Sequence, residues 1–185
     1  MLVNRHGQLA LADLGLSAQK PSGVSGGFFK PVCTLLYQSP EQLFRSPKGY
    51  NEKADMWGLG CILYELLTGR IFFQAAKSQD QLVDIILQHY GAEEFELWEE
   101  GRDSEVFKKH AHRLKRTKTI FNGVKTRVRD SQALDLLEAL CCLNPEKRPS
   151  AVQVLTHPFF DEVSESQMDR SDYQFPENGV RVSRE

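Results

Sequence analysis

A mainly α-helical chain with one short β-hairpin at its N-terminus is the fold class this sequence predicts, on three observations. Residues 55–69 are apolar on nearly every side when read at helical period: Met56, Leu59, Ile62, Leu63, Leu66 and Leu67 cover one face, and Trp57, Cys61 and Tyr64 most of the other. Two further stretches, 80–90 and 131–143, repeat apolar residues at the same period and stop at Gly91 and at Asn144-Pro145. Only residues 1–12 alternate as a strand does, with Val3 and then Leu9 and Leu11 flanking the turn-prone Asn4-Arg5-His6-Gly7.

Taken in order, the hairpin ends at Asp13. From Ser17 to Cys33 the chain carries Lys20-Pro21-Ser22-Gly23-Val24-Ser25-Gly26-Gly27, too rich in glycine and too poor in apolar surface for regular structure, and a flexible loop is expected. Ser39-Pro40-Glu41 then reads as a helix start, with a capping serine, proline at the first helical position and an acid in the first turn. The 55–69 helix is expected to be a central pillar capped by Asp55 and closed by a left-handed Gly69. It is shorter than the ~18 apolar residues a membrane span needs. Gly58 and Gly60 each cost roughly 0.5–1 kcal/mol relative to alanine in a helix, which predicts that another element comes close at both. Leu82, Val83, Ile85, Ile86 and Leu87 make 80–90 amphipathic, Ser131 is the expected cap of the third helix, and a short helix from Ser150 through Leu155 precedes His157-Pro158-Phe159-Phe160. Residues 161–185 are polar with isolated Tyr173 and Phe175, and a disordered tail is expected there.

With 185 residues, 41% of them hydrophobic, the chain has material for one sizeable core, placed at 1–160. A formal charge of −2 gives no whole-chain argument for nucleic acid or an anionic membrane. The N-terminus shows no apolar leader, so neither a signal peptide nor a membrane anchor is expected. Cys61 and the adjacent Cys141-Cys142 lie in apolar runs and Cys33 in a loop, which points to a reducing compartment, cytoplasmic or nuclear. Charge is segregated: residues 93–105 hold seven acids against Arg102, and 106–129 hold nine Lys or Arg and no acid. Two solvated faces that partly neutralise each other account for this most simply; a protein-docking surface is the sharper alternative, and a nucleic-acid patch the weakest. His110 and His112 stand two apart and share no helix face, so they are not read as a metal pair.

Three local patterns carry chemistry. Asp13-Leu14-Gly15 directly after a strand, then the Gly/Ser loop and Thr34-Leu35-Leu36-Tyr37-Gln38-Ser39-Pro40-Glu41, then Asp55-Met56-Trp57-Gly58-Leu59-Gly60, keep the order and approximate spacing of D-F-G, activation-loop, A-P-E and D-x-W-S-x-G elements. Asn144-Pro145-Glu146-Lys147-Arg148-Pro149-Ser150-Ala151 with His157-Pro158-Phe159-Phe160 looks like the end of the same pattern. In this combination the sequence resembles the eukaryotic serine/threonine protein kinases, most closely the cyclin-dependent and mitogen-activated group. In that group the activation segment ends T-L-W-Y-R-A-P-E, and a G-R-P-L-F stretch, here Gly69-Arg70-Ile71-Phe72-Phe73, comes after the pillar.

The resemblance implies a kinase C-lobe, part of an α+β two-lobe fold, acting on protein serine or threonine with ATP and Mg²⁺. It makes Asp13 the metal-binding aspartate and Asp13, Leu14, Gly15, Thr34, Ser39, Pro40 and Glu41 parts of the activation segment. Thr34 would stand beside the catalytic loop, Asp55 would bond that loop's backbone, Trp57 and Gly60 would be structural, and Glu41 would pair with Arg148. The chemistry suits those roles: a carboxylate at a strand end can hold Mg²⁺ across phosphates, and a buried glutamate needs a planar guanidinium fork. The plainer readings are that Asp13 ends a hairpin and that Glu41 and Asp55 are helix-end acids.

The departures weigh as much. Leu14 stands for the usual Phe, Leu36 and Gln38 for Trp and Arg, and Phe29 and Pro31 fall where the group's phosphorylated Thr and Tyr lie, so phosphorylation at the usual position is expected to play no part. The sequence holds no glycine-rich loop, V-A-I-K lysine, αC glutamate or H-R-D-x-x-x-x-N loop. The run from Met1-Leu2-Val3-Asn4 to Asp13 matches the family's strand and hairpin after the Asn of that loop, so the chain is expected to start one residue late and the coding sequence upstream to supply the motif. No catalytic residue is therefore expected within the chain, and nucleotide only if the missing N-lobe is supplied. The rival expectation is a non-catalytic interaction module that binds a protein partner through 93–129.

Overall fold

Strands β1 (Leu2–Val3) and β2 (Leu9–Ala10) pair antiparallel as the expected hairpin, with Leu2 opposite Ala10 and Val3 opposite Leu9. The computed structural model describes residues 2–4, 9–18, 27–30 and 33–161. The hairpin turn, most of the Gly/Ser loop, Pro31-Val32 and all but the first residue of the expected tail lie outside these.

Nine helices follow among the described residues: α1 (Pro40–Leu43), α2 (Lys53–Thr68), α3 (Gln79–Tyr90), α4 (Ala92–Glu96), α5 (Glu99–Arg102), α6 (Glu105–His110), α7 (Asn122–Lys125), α8 (Ser131–Leu140) and α9 (Ala151–Leu155). The chain is mainly helical. Short helices α4 to α7 occupy the charged stretch, to which the sequence pattern had assigned none.

Helix α2 is the pillar, with three corrections to the sequence expectation. It begins at Lys53, where Asn51 Oδ1 accepts the Lys53 N–H at 3.0 Å, so Asp55 lies in the first turn and is not the cap. It is not enclosed on all sides: Trp57, Gly60 and Cys61 are buried, whereas Leu59 and Leu66 lie on an open face, Leu66 at 79% exposure. Of the two glycines only Gly60 is crowded. A Cβ there would lie 2.6 Å from Cys141 Sγ and 3.0 Å from Leu140 Cβ, while one on Gly58 meets nothing within 4 Å. Gly69 closes the helix at φ 68°, as expected.

Helix α8 crosses the Gly60 face and is capped by Asp130, not Ser131; its carboxylate accepts the N–H groups of Gln132 and Ala133 at 2.9 and 3.0 Å. An acceptor one residue earlier reaches both orphan donors. Around α2 the core gathers Phe44, Phe73, Leu82, Ile86, Leu87, Tyr90, Phe95, Trp98 and Leu137. Fully burying a large apolar side chain stabilises by roughly 1.5–3 kcal/mol. Trp57 and Phe73 stack with centroids 6.0 Å apart, and the Tyr90 hydroxyl donates to the Cys141 carbonyl at 2.9 Å. A smaller cluster, Met56, Leu136, Leu140 and Val154, joins the other side of α2 to α8 and α9.

Candidate functional site

Asp13 comes three residues after β2 and stands in the left-handed region, φ 65° and ψ 66°, which aspartate enters more readily than most residues. It leads into a 3-10 turn, Leu14–Leu16, closed by Ser17, whose hydroxyl and N–H both donate to the Leu14 carbonyl. The carboxylate is exposed, and so are the leucines around it, Leu11 at 82%. Mg²⁺ commonly takes one or two protein carboxylates and completes its shell with water and phosphates. Asp13 fits as one such ligand. Among the described residues no group of three or more His, Cys, Asp or Glu could hold a metal ion, so Asp13 stands there as a single protein ligand.

Thr34, exposed, precedes a second 3-10 turn, Leu35–Tyr37, and from there the chain goes inward. The Tyr37 hydroxyl donates to Glu65 Oε1 on α2 at 2.8 Å; this bond, with partial burial, pushes the phenol pKa up to about 12. Gln38 is buried, and its amide donates to the Cys33 carbonyl at 3.4 Å and accepts from Gln79 Nε2 of α3 at 3.1 Å. Ser39 opens α1 with its N–H donating to Gln42 Oε1 at 3.1 Å, and Pro40 takes the first helical position.

Glu41 and Arg148, 107 residues apart, meet as a bidentate pair: Nη1 to Oε1 at 2.9 Å and Nη2 to Oε2 at 3.0 Å. Both are buried, at 2% and 1% exposure. The remaining guanidinium donors are also used. Nη1 reaches the Lys53 carbonyl at 2.6 Å, and Nε and Nη2 reach the Cys142 carbonyl at 3.2 and 3.0 Å. Lys53 Nζ returns a bond to the Arg148 carbonyl at 2.6 Å, and the guanidinium lies 5.3 Å from the centre of the Trp57 ring. The fork thus ties the end of segment 13–41, the start of α2 and the turn before α9 into one node. Trp57 Nε1 is buried without a hydrogen-bond partner among the described residues.

Asp55 stands apart. Its carboxylate accepts no hydrogen bond from the described residues, and partial desolvation, with Glu52 alongside, raises its pKa above the ordinary value. The structure therefore brings Glu41, Arg148 and Trp57 together with Ser39 and Pro40 and leaves Asp13, Leu14, Gly15, Thr34 and Asp55 outside that node.

Several links between distant residues are not readable from the sequence. Tyr37–Glu65 and Gln38–Gln79 have no local signature, because their partners lie 28 and 41 residues away. His110, read only as an unlikely metal ligand, is buried between carboxylates of α3: Nδ1 is 2.8 Å from Asp84 Oδ1 and Nε2 3.2 Å from Asp80 Oδ1. In the charged stretch Lys118–Glu94, Lys108–Glu105 and Lys125–Glu138 pair at 2.6–2.8 Å, while Lys115, Arg116, Arg127 and Arg129 are exposed with no acid paired among the described residues. No helix among the described residues is long and apolar enough to cross a membrane.

The sequence matches the family described as protein kinase domain over residues 1–160. It is 34% identical over 163 residues to a probable cyclin-dependent serine/threonine-protein kinase of Dictyostelium discoideum, covering 86% of this chain and 24% of the relative. It is 32% identical over 163 residues to the CTD kinase subunit alpha of Schizosaccharomyces pombe (86% of this chain, 26% of the relative). Bos taurus cyclin-dependent kinase 9 shows the same 32% identity over 163 residues (86% of this chain, 43% of the relative). The chain thus spans from about a quarter to just over two fifths of the length of these relatives.

Proposed function

Because the chain belongs to the protein kinase family, with similarity to cyclin-dependent kinases, we propose that residues 1–160 are the C-lobe part of a serine/threonine kinase domain, that 13–41 is its activation segment, and that the chain by itself does not transfer phosphate. Phosphoryl transfer from MgATP is catalysed almost wholly by positioning and by charge placed around the phosphates. The group that would face the metal is Asp13, and the sequence supplies no phosphate-positioning lysine, no catalytic-loop aspartate and no glycine-rich roof to act with it. ATP and Mg²⁺ would supply the transferred phosphoryl group and its charge neutralisation. Asp13 would offer one carboxylate to the metal, and the Glu41–Arg148 node would fix the far end of the segment.

The observation that carries this reading is the contrast around Asp13: an exposed carboxylate amid exposed Leu9, Leu11, Leu14 and Leu16, the kind of apolar surface a further layer of protein covers. The substrate is a protein in this reading. The test is a radiolabelled-ATP assay of the 185-residue chain with a generic protein substrate. No turnover above background is expected, with or without Asp13→Ala; turnover that Asp13→Ala abolishes contradicts the reading.

The exposed cations Lys115, Arg116, Arg127 and Arg129 favour a second reading, a non-catalytic module that docks an acidic protein partner. Replacing the four with alanine separates the two, since partner capture would be lost only in the second.

A further inference from the structure

We propose that the middle of segment 13–41 is held by a neutral backbone clasp and needs no phosphate to become ordered; this rests on reading 13–41 as an activation segment. The Gly27 N–H donates to the Lys48 carbonyl at 3.0 Å, and Phe28 and Tyr50 exchange both backbone bonds, at 2.7 and 2.8 Å, as an isolated antiparallel bridge. The Tyr50 hydroxyl adds a bond to the Lys30 carbonyl at 2.7 Å, and the Phe28 and Tyr50 rings lie 5.7 Å apart.

Two glycines make the approach possible. A Cβ on Gly27 would lie 2.5 Å from the Tyr50 carbonyl oxygen and 2.6 Å from its nitrogen. Gly49, at φ 72°, turns the opposing loop, and a Cβ there would lie 2.6 Å from the Phe28 oxygen. The opposing loop is itself anchored: Gly49 N–H donates to the Ser46 carbonyl at 2.8 Å and Ser46 N–H to the Glu41 carbonyl at 3.0 Å, so the clasp rests on the residue that forks to Arg148.

Among the described residues no charged group takes part in these bonds. Phosphate orders a loop by drawing arginines to its oxygens. Phe29, where the resemblance places the group's phosphorylated threonine, has no hydroxyl and is 67% exposed. Gln38, where that group has arginine, makes neutral bonds to Cys33 and Gln79. Hydrogen bonds between neutral groups are screened little by salt, so the clasp holds at high ionic strength.

The test is amide exchange at Phe28 and Tyr50 in the 185-residue chain made in bacteria and treated with phosphatase. The expected result is exchange slowed by about tenfold or more relative to an unstructured peptide, unchanged between about 50 mM and 1 M salt. Gly49→Ala should abolish the protection. Gly69→Ala, equally strained at φ 68° but with nothing within 4 Å of the added Cβ, should leave it intact. Tyr50→Phe, which removes only the hydroxyl bond, should reduce it in part. Protection that appears only after phosphorylation, that falls with salt, that survives Gly49→Ala, or that Gly69→Ala removes equally, overturns the clasp. No nucleotide enters this measurement, so its failure leaves the C-lobe reading standing, and turnover by the chain leaves the clasp standing.

Discussion

The two ends of segment 13–41 are built on opposite terms. At Glu41 every donor of the partner guanidinium is used, both charges are enclosed, and residues from three distant stretches meet. At Asp13 the carboxylate is exposed, the backbone is left-handed, and the neighbouring leucines face outward. One end is completed by the described residues themselves; on the proposed reading the other would need further protein and nucleotide. The difference teaches that burial and a complete set of hydrogen bonds hold one end of the segment, whereas the other end, on the proposed reading, would be completed only by what binds there.

Removing one partner of the fork is the hardest blow to that contrast. Glu41→Ala is expected to destabilise by about 3–5 kcal/mol, because Arg148 stays buried without its counter-ion. A urea titration beside Glu99→Ala, an exposed control, reads the difference; equal midpoint shifts would mean the fork does not hold the node.

The pillar offers a pair of opposite sign. Gly60→Ala should cost about 1–3 kcal/mol by forcing a methyl against Cys141 and Leu140. Gly58→Ala, in open space within the same helix, should stabilise by roughly 0.5–1 kcal/mol. Thermal unfolding of both checks the pair, and a loss at Gly58 would mean an unseen neighbour covers that face.

A smaller effect is expected from Tyr37→Phe, about 0.5–1.5 kcal/mol for one hydrogen bond to Glu65. The phenol's folded pKa is raised from 10.0 to about 12, so the bond contributes fully below pH ~10 and is lost as pH climbs toward about 12. The difference between the ultraviolet titrations of wild type and Tyr37→Phe should show this phenol ionising late, while buried Tyr90, also raised, stays common to both.

The smallest change belongs to the open end. Asp13→Asn should move stability by no more than about 0.5 kcal/mol, since an exposed side chain is altered and asparagine also tolerates the left-handed region. A larger loss in the same urea titration would show that Asp13 is built into the fold.

How far the sequence could be read depends on the reach of each signal. The hairpin, the serine and proline at the start of α1, the left-handed Gly69 and the main helices were legible because period and caps are local. The cap positions slipped where a better acceptor stood nearby, Asn51 before Asp55 and Asp130 before Ser131. Enclosure of the pillar was overestimated, because composition tells that Leu59 and Leu66 are apolar but not whether anything covers them. Part of the supposed flexible loop, 27–30, is bridged to Tyr50, a pairing that no local glycine count reveals. In the site, the node residues could be named through a family pattern, whereas Tyr37–Glu65, Gln38–Gln79 and His110 with its two aspartates depend on contacts between distant stretches.

Amide exchange across the isolated chain, with and without MgATP, tests most directly whether one end is built and the other open. Protection should be strong at Leu43, Phe44 and the first turns of α2, which surround the fork, weak at 13–18, and unchanged by MgATP in both. Protection at 13–18 that rises on adding MgATP would contradict the account, because it would mean that this chain alone assembles a nucleotide site around Asp13.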